Sequence, residues 1–415
     1  MIDELLKPYQ RFGVNLGLDR INHLLAILDN PHLQIPLVHV TGTNGKGSVC
    51  AYLSSILSEA GYKVGRYISP HLIDWTERIS INNYPISHKE LERILQYINS
   101  VIDPQKESPT QFEVITAAAW LYFAREGVDI AVMEVGLGGR LDATNVCPQP
   151  LVSVITSISL EHWQNLGPTI AHIAGEKAGI LKSHCPAVIA QLPPAAKTVI
   201  AERIELLDCP AVWVKPARKI EEGWGHYEGI DYPLPLAGDF QLMNSALAIA
   251  TVQILREKGW QIDDRALQEG MSKTRWSGRL QWVEWHDRSI LIDGAHNEAA
   301  ALGLRDYVDS LGKCPIWVMG MLSTKDHEKI FKALLRGGES LYLAPVPDHN
   351  SADSENLASL APLCCEGLEF IGTYPDVFSA LKNAVENNES THRVIVLCGS
   401  LYLVGYFLAH KNKCD

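Results

Sequence analysis

The chain has 415 residues and a net charge of −12 at pH 7, with 47% of residues hydrophobic and 20% charged. That length predicts two domains rather than one core, and the acidic balance argues against wholesale binding of nucleic acid or an anionic membrane. The opening "MIDELLKPYQRFG" has no basic segment ahead of an apolar core and no apolar run is long enough to span a bilayer, while nine cysteines without a C-x-x-C pair read as reduced thiols of a cytoplasmic protein.

In chain order, "IPLVHVT" is a short run rich in β-branched residues and predicts a strand. From Ser48 the period changes: Val49, Tyr52, Leu53, Ile56, Leu57 and Ala60 fall on one helical face, and Gly61 stops the helix. "YKVGRYIS" follows as the next strand, which completes a βαβ unit. "TQFEVITAAAWLYFAREG" predicts a helix, "VDIAVMEVGLGGR" a buried strand running into a glycine-rich turn, and "PLVSVITSISLEH" another strand. Residues 190 to 235, with Pro193-Pro194, Pro233 and Pro235, read as short strands and loops. "NSALAIATVQILREKG" is a helix, and "RWSGRLQWVEWHDRSILIDGAHN" a strand pair. The alternation then restarts: strand "SILID", helix "NEAAALGLRDYVDSLG", strand "PIWVMGM", helix "HEKIFKALLRG", strand "SLYLAPV", a helix near 375–388, and strand "HRVIVLCGS". The pattern predicts a doubly wound α/β chain: domain 1–278 with a mostly parallel sheet, and a smaller Rossmann-like α/β domain over 279–415.

Polar features gather where such strands end, the rim at which ligands bind in open α/β sheets. "VTGTNGKGS" departs from the ordinary phosphate loop, since Val40 stands five positions before Gly45 and Gly47 follows Lys46. Thr43, Asn44, Gly45, Lys46 and Gly47 offer successive backbone N–H groups ahead of a helix N-terminus, and lysine adds a point charge for phosphate. The alternative is a glycine-rich turn with a surface lysine. Glu134 ends an otherwise apolar strand, where a carboxylate is costly unless paired or metal-bound, and it suits magnesium. A structural salt bridge would satisfy it equally. His162 and Lys177, on their own, read as a surface histidine and a solvated lysine. Asp293, His296 and Asn297 in "LIDGAHN" stand at the mouth of the second domain's first strand, although these are also ordinary turn residues.

Taken in order, "GTNGKGS", "SPHL" with "ERI", "FE", "EVGLGGRLDATN", "EH", "GEKAGI", "SGR" and "DGAHN" resemble the folylpolyglutamate synthase and dihydrofolate synthase family of the Mur ligase superfamily, from about residue 11 to residue 406. The resemblance implies an N-terminal Mur-ligase-type P-loop ATPase domain and an ATP-dependent amide ligase. The γ-phosphate of ATP would pass to a substrate carboxylate, and L-glutamate would attack the acyl phosphate. Its small-molecule substrates would be dihydropteroate, folates and L-glutamate, and the protein would be a monomer.

Carried over by motif, the resemblance assigns Thr43 to Lys46, with Gly47 and Ser48, to the ATP phosphates. It assigns Ser69 and Glu134 to one Mg²⁺, and His162 with a carbamylated Lys177 to a second. Asn244, Arg279 and Asp293 become ATP contacts, the last two from the linker and second domain, and this division implies closure around ATP. Lys46, Lys177 and His296 are the candidate catalytic residues, His296 near the reacting groups or glutamate. The pterin would lie near Gly13, Val14, Asn15 and Leu16, near Thr110, Gln111, Phe112 and Glu113, and near Leu141, Asp142 and Ala143. One departure stands at Phe240, where many members carry histidine.

Three other readings compete. A peptidoglycan Mur ligase generally adds a domain before the ATP loop, and about forty residues precede Thr41 here. An ATP-binding scaffold would not need the metal residues, and a P-loop NTPase or kinase is disfavoured by the loop spelling. Within the family, a folylpolyglutamate synthase alone is the alternative to a bifunctional enzyme, and "LDATN" with the compact chain favours the latter.

Overall fold

The computed structural model describes residues 1–12, 15–387 and 392–412. The chain divides into two units, one of Met1–Pro235 with Gln241–Arg275 and one of Leu236–Phe240 with Trp276–Asp415. The sequence places the boundary at 278/279; the structure breaks three residues earlier and lends the segment 236–240 to the second unit.

The first unit is built on an eight-stranded sheet. Its order is Tyr84–Pro85, Ile79–Ile81, Val64–Tyr67, Ile130–Glu134, Leu37–Thr41, Val152–Ile155, Ala187–Ile189, Ala211–Trp213. The six strands from Val64–Tyr67 onward pair in parallel, and the first two form an antiparallel edge. Parallel strands are buried on both faces and so read as continuous apolar runs; all five residues of Leu37–Thr41 and of Ile130–Glu134 are buried. The helix Lys46–Glu59 is buried over most of its length and stops before Gly61, whose φ of 90° closes the turn. Gln111–Arg125 starts with a capping box between Thr110 and Glu113, and its buried face joins the core that holds Trp120 and Phe123.

Residues 190–235 depart from the sequence expectation. They contain a 13-residue helix, Pro194–Leu206, before a three-stranded antiparallel sheet of Arg218–Glu221, Trp224–Tyr227 and Ile230–Pro233. Pro193-Pro194 reads as a breaker, but Pro194 occupies the first helical turn, where its missing N–H costs nothing.

The second unit carries a six-stranded sheet ordered Gln281–Trp285, Arg288–Ile292, Arg393–Cys398, Cys314–Met319, Ser340–Leu343, Phe370–Thr373. All neighbours are parallel except the first pair, a hairpin. The sequence pattern does not disclose helix Ser354–Cys364 and strand Phe370–Thr373. Pro362 lies inside that helix, and the strand is an edge with no buried residue, so neither shows a clear period. Among the described residues no helix is long and apolar enough to cross a membrane.

Candidate active site

The loop between strand Leu37–Thr41 and helix Lys46–Glu59 is pinned by residues that no motif singles out. Thr43 N donates to Ser157 O at 2.7 Å and Asn44 N to Ser157 Oγ at 2.9 Å. Thr156 Oγ1 and Ser157 Oγ in turn donate to Asn44 O. The N–H groups of Thr43 and Asn44 are therefore spent inside the protein, which corrects the expectation that all five loop amides face a ligand. The anion-binding donors are those that follow. Helix Lys46–Glu59 begins with Gly45 as its N-cap and has no side-chain cap, so its first-turn amides and dipole are presented outward. A side chain at Gly42 would put its Cβ 1.9 Å from Thr156 Oγ1, and one at Gly45 would sit 2.4 Å from Asn244 Oδ1. Asn244 Nδ2 donates to Gln241 Oε1 at 3.0 Å and Gln241 Nε2 to Ser48 Oγ at 3.4 Å, so Asn244 supports the loop from behind through Gln241 and Ser48.

Two lysines converge on one carbonyl. Lys46 Nζ donates to Gly42 O and Thr43 O, each at 3.1 Å, and Lys177 Nζ donates to Gly42 O at 2.7 Å. Lys177 is 5% exposed, so the solvated-lysine reading fails. Burial pulls its ammonium down to about 7 from 10.5; nearby Lys46 adds to the shift, and Glu161 and Asp142 oppose it. Near neutrality a large share of Lys177 is therefore free amine. Glu134, 5% exposed at its strand end, lies 4.0 Å from Lys46 Nζ and accepts from Ser69 N at 3.4 Å. Thus Lys46, Lys177, Glu134 and Ser69 form one cluster. His162 caps a short helix in the left-handed region (φ 51°), with its side chain nearly half exposed and Nε2 3.9 Å from Glu161 Oε1. Arg66, which no motif marks either, is half-buried and donates to Ser54 Oγ at 3.3 Å and Asn83 Oδ1 at 3.0 Å, and its guanidinium feels the charge of Glu134.

The glycine-rich turn after Glu134 packs on the helix that carries Lys177. Arg140 N donates to Glu176 O at 2.7 Å, and a Cβ on Gly139 would meet Glu176 O and Lys177 O at 3.0 and 3.1 Å. Within it, Asp142 is 2% exposed. It accepts from Leu137 N at 2.8 Å, Thr144 N at 3.0 Å and Thr144 Oγ1 at 2.6 Å, against a burial that pushes its carboxyl up. It braces the turn from inside. Of the stretches assigned to the pterin, Gly13 and Val14 lie outside the described residues. Asn15 and Glu113 are joined by Arg20, a residue outside every motif. Its guanidinium donates to Asn15 O at 2.6 Å, to Glu107 Oε1 at 3.0 Å and to Glu113 Oε2 at 3.1 Å. Gly17 N reaches Leu141 O at 3.4 Å, and Phe112 fills the space over Gly136, where a Cβ would meet its Cζ at 2.4 Å. Gln111 and Leu16 are half-buried beside these contacts, and Ala143 is buried.

In the second unit, Asp293 accepts from Leu280 N at 2.8 Å and Ala295 N at 2.7 Å, and it lies near Arg279; burial pushes its carboxyl up and these partners oppose that. His296 Nδ1 bonds Gly294 O at 2.7 Å. A carbonyl only accepts, so Nδ1 carries a proton in this contact. Asn297 caps helix Glu298–Ser310 through Ala300 N at 2.9 Å. Among the described residues no group of three or more His, Cys, Asp or Glu side chains forms a ready-made metal cluster.

Fold and site define a Mur-type ligase: residues 40–252 match the Mur ligase middle domain, and residues 279–410 match the dihydrofolate synthetase C-terminal domain. The dihydrofolate synthase/folylpolyglutamate synthase of Bacillus subtilis (strain 168) is 34% identical over 416 residues, covering 95% of this chain and 94% of that protein. The Mycobacterium tuberculosis folylpolyglutamate synthase solved with ADP and AMPPCP superposes with a TM-score of 0.88 at 30% identity, covering 100% of this chain and 99% of that one. E. coli FolC in complex with DHPP and ADP gives 0.85 at 29%, covering 99% and 96%. The chain belongs to the dihydrofolate synthase/folylpolyglutamate synthase family, whose members are ATP-dependent ligases.

Proposed function

We propose that this chain joins L-glutamate to dihydropteroate and adds further glutamates to folates, consuming ATP at each step. The observation that carries the reading is the cluster around Gly42 O, where Lys46 and Lys177 meet within reach of Glu134 beside an uncapped helix N-terminus. It belongs to a chain that matches a relative of that name along nearly its whole length.

An oxygen of the acceptor carboxylate attacks the γ-phosphorus of ATP, the bond to the bridging oxygen breaks, and ADP leaves. The glutamate amine then attacks the acyl carbon. The tetrahedral adduct expels phosphate, and loss of a proton from nitrogen leaves the amide. Crowding of negative oxygens is the main barrier, so the protein supplies positive charge and fixed dipoles. Lys46 and the amides that open helix Lys46–Glu59 hold the phosphates. Asn244 keeps Gly45 in place, and Arg279 and Asp293 contribute ATP contacts from the second unit. Arg20, Thr110, Phe112 and Glu113 order the acceptor side. His296 is the candidate side chain near the reacting groups or glutamate.

The residues fit Mg²⁺ at one site directly. It takes one or two protein oxygens and completes its shell with water and phosphate, and Glu134 with the Ser69 hydroxyl supplies them. At the second, the family pattern pairs His162 with Lys177, whose ammonium would repel a cation. The free amine of Lys177 can instead combine with carbon dioxide, losing a proton to give a carbamate whose oxygens suit the metal. Bound Mg²⁺ would neutralise charge on the transferring phosphoryl group.

The deciding assay is phosphate release that depends on ATP, Mg²⁺ and glutamate, run separately with dihydropteroate and with tetrahydrofolate. Release with both is the expected result. Release with neither overturns the reading, and release with one alone reassigns the acceptor.

A further inference from the structure

The chain repeats itself briefly outside the site. "HCPAV" at 184–188 and "DCPAV" at 208–212 each lead into a strand of the first unit. The backbone is repeated too, since His184 and Asp208 both sit in the left-handed region, with φ of 58° and 49°. The strands they introduce are parallel neighbours with Ala187 opposite Ala211. Pairing continues upstream through Ala187 N to Pro210 O at 2.8 Å and His184 N to Leu207 O at 3.0 Å. Cys185 and Cys209, two residues before the paired alanines, therefore stand opposite each other. A shared acceptor brings them together: Lys182 O takes Cys185 N at 3.1 Å and Cys209 Sγ at 3.1 Å. His184 and Asp208 clasp the starts of both strands from outside at 3.3 Å. Neighbouring strands lie about 4.8 Å apart, inside the roughly 4.4–6.8 Å Cα range that a disulfide spans.

We propose that Cys185 and Cys209 form a redox-modification site, a thiol pair that hydrogen peroxide closes into an intramolecular disulfide. The Cys185 sulfur attacks one peroxide oxygen, the O–O bond breaks, and water leaves a sulfenic acid. The Cys209 sulfur displaces its hydroxyl as a second water, and the S–S bond forms. One hydrogen peroxide is reduced to two waters while the two thiols together give up two electrons and two protons. Both thiols are free and buried, at 8% and 7% exposure, and stand beside the exposed side chains of His184 and Asp208. Burial pushes both thiols up, and at Cys185 the charges of Lys258 and Lys182 oppose it. Reaction is accordingly slow relative to an exposed thiolate.

The test treats the full-length protein with hydrogen peroxide, blocks remaining thiols in denaturant with iodoacetamide, and maps peptides by mass. A 185–209 cross-link two hydrogen masses lighter than its parts is expected, cleaved by dithiothreitol. The thermal midpoint of the oxidised protein should rise by several degrees, because the bond closes a loop in the unfolded chain. Cys185→Ser and Cys209→Ser should each abolish both effects. Recovery of the two cysteines alkylated, or oxidised separately to sulfinic acids, overturns the proposal. The wild-type mass map distinguishes these outcomes even if a variant does not fold.

Discussion

In the first unit, Lys177 is buried at a strand rim with a backbone carbonyl as its partner, and its ammonium is drawn down to about 7. In the second, Asp293 is as deeply buried, yet two backbone amides and a neighbouring arginine serve its carboxylate. Asp293 directly follows a strand, and Lys177, on helix Ile170–Ala178, reaches the loop that follows another. The difference is that the second unit meets one buried carboxylate with two of its own backbone amides and Arg279, while the first gathers three ionisable groups, Lys46, Lys177 and Glu134, at one strand rim. Crowding of ionisable groups away from water costs stability and gains reactivity.

The sharpest test of that contrast is Lys177→Ala. Ligase turnover should fall by at least about 10³-fold while the protein stays folded, measured by phosphate release beside circular dichroism. Active enzyme whose Lys177 shows no carbamate in electron density would sink the modification. The same position should gain stability as Lys177→Met in carbon-dioxide-free buffer. The unfolded lysine holds its proton up to 10.5 and the buried one to about 7, so parental stability falls as pH drops through that window. Denaturant melts at pH 7 and pH 10 would read the gap narrowing with pH.

Next in size, Glu134→Gln should lose roughly 10²-fold in turnover and demand more Mg²⁺ for half-maximal rate; an unchanged Mg²⁺ titration would remove Glu134 from the metal. Asp293→Asn probes the other side of the comparison. Its amide can replace only one acceptor oxygen, so about 1–3 kcal/mol of stability should go from the second unit, seen as an earlier urea transition. Retained stability would show that the two backbone bonds do not matter. The last effect is spread over a wide pH range and concerns His39, which is fully buried against Thr144 and held down to about 3 by burial and by Lys182. Its stabilising contribution is complete above 6.5 and is lost as pH falls towards 3, at about 1.4 kcal/mol per pH unit. Urea melts between pH 7 and 4.5 should show that slope in the parent and a flatter one in His39→Gln.

How far the sequence could be read depended on how local each signal was. The phosphate loop, the strand ending in Glu134 and the alternation of the second unit are carried by adjacent residues, so spacing exposes them. Ser157 and Arg20 act on segments 113 and 93 residues away, and only the fold reveals that they meet loop and helix. Lys177 reads as bland for the same reason: its meaning lies in Gly42, 135 residues distant. Asp142 adds what spacing does not show, since its carboxylate also braces the turn from inside. The helix Pro194–Leu206 is hidden by two prolines whose position, not identity, decides whether they break or begin a helix.

The fit between Gly42 and Thr156 also bears on how this protein can change over generations. A methyl group at position 42 would fall 1.9 Å from the threonine hydroxyl, which itself ties down Asn44. Neither position can drift alone: a larger residue at 42 needs a smaller one at 156, and that exchange releases the loop it was meant to accommodate. The two sites form a linked lock in sequence space, and variants of this ligase should diverge around the pair rather than through it.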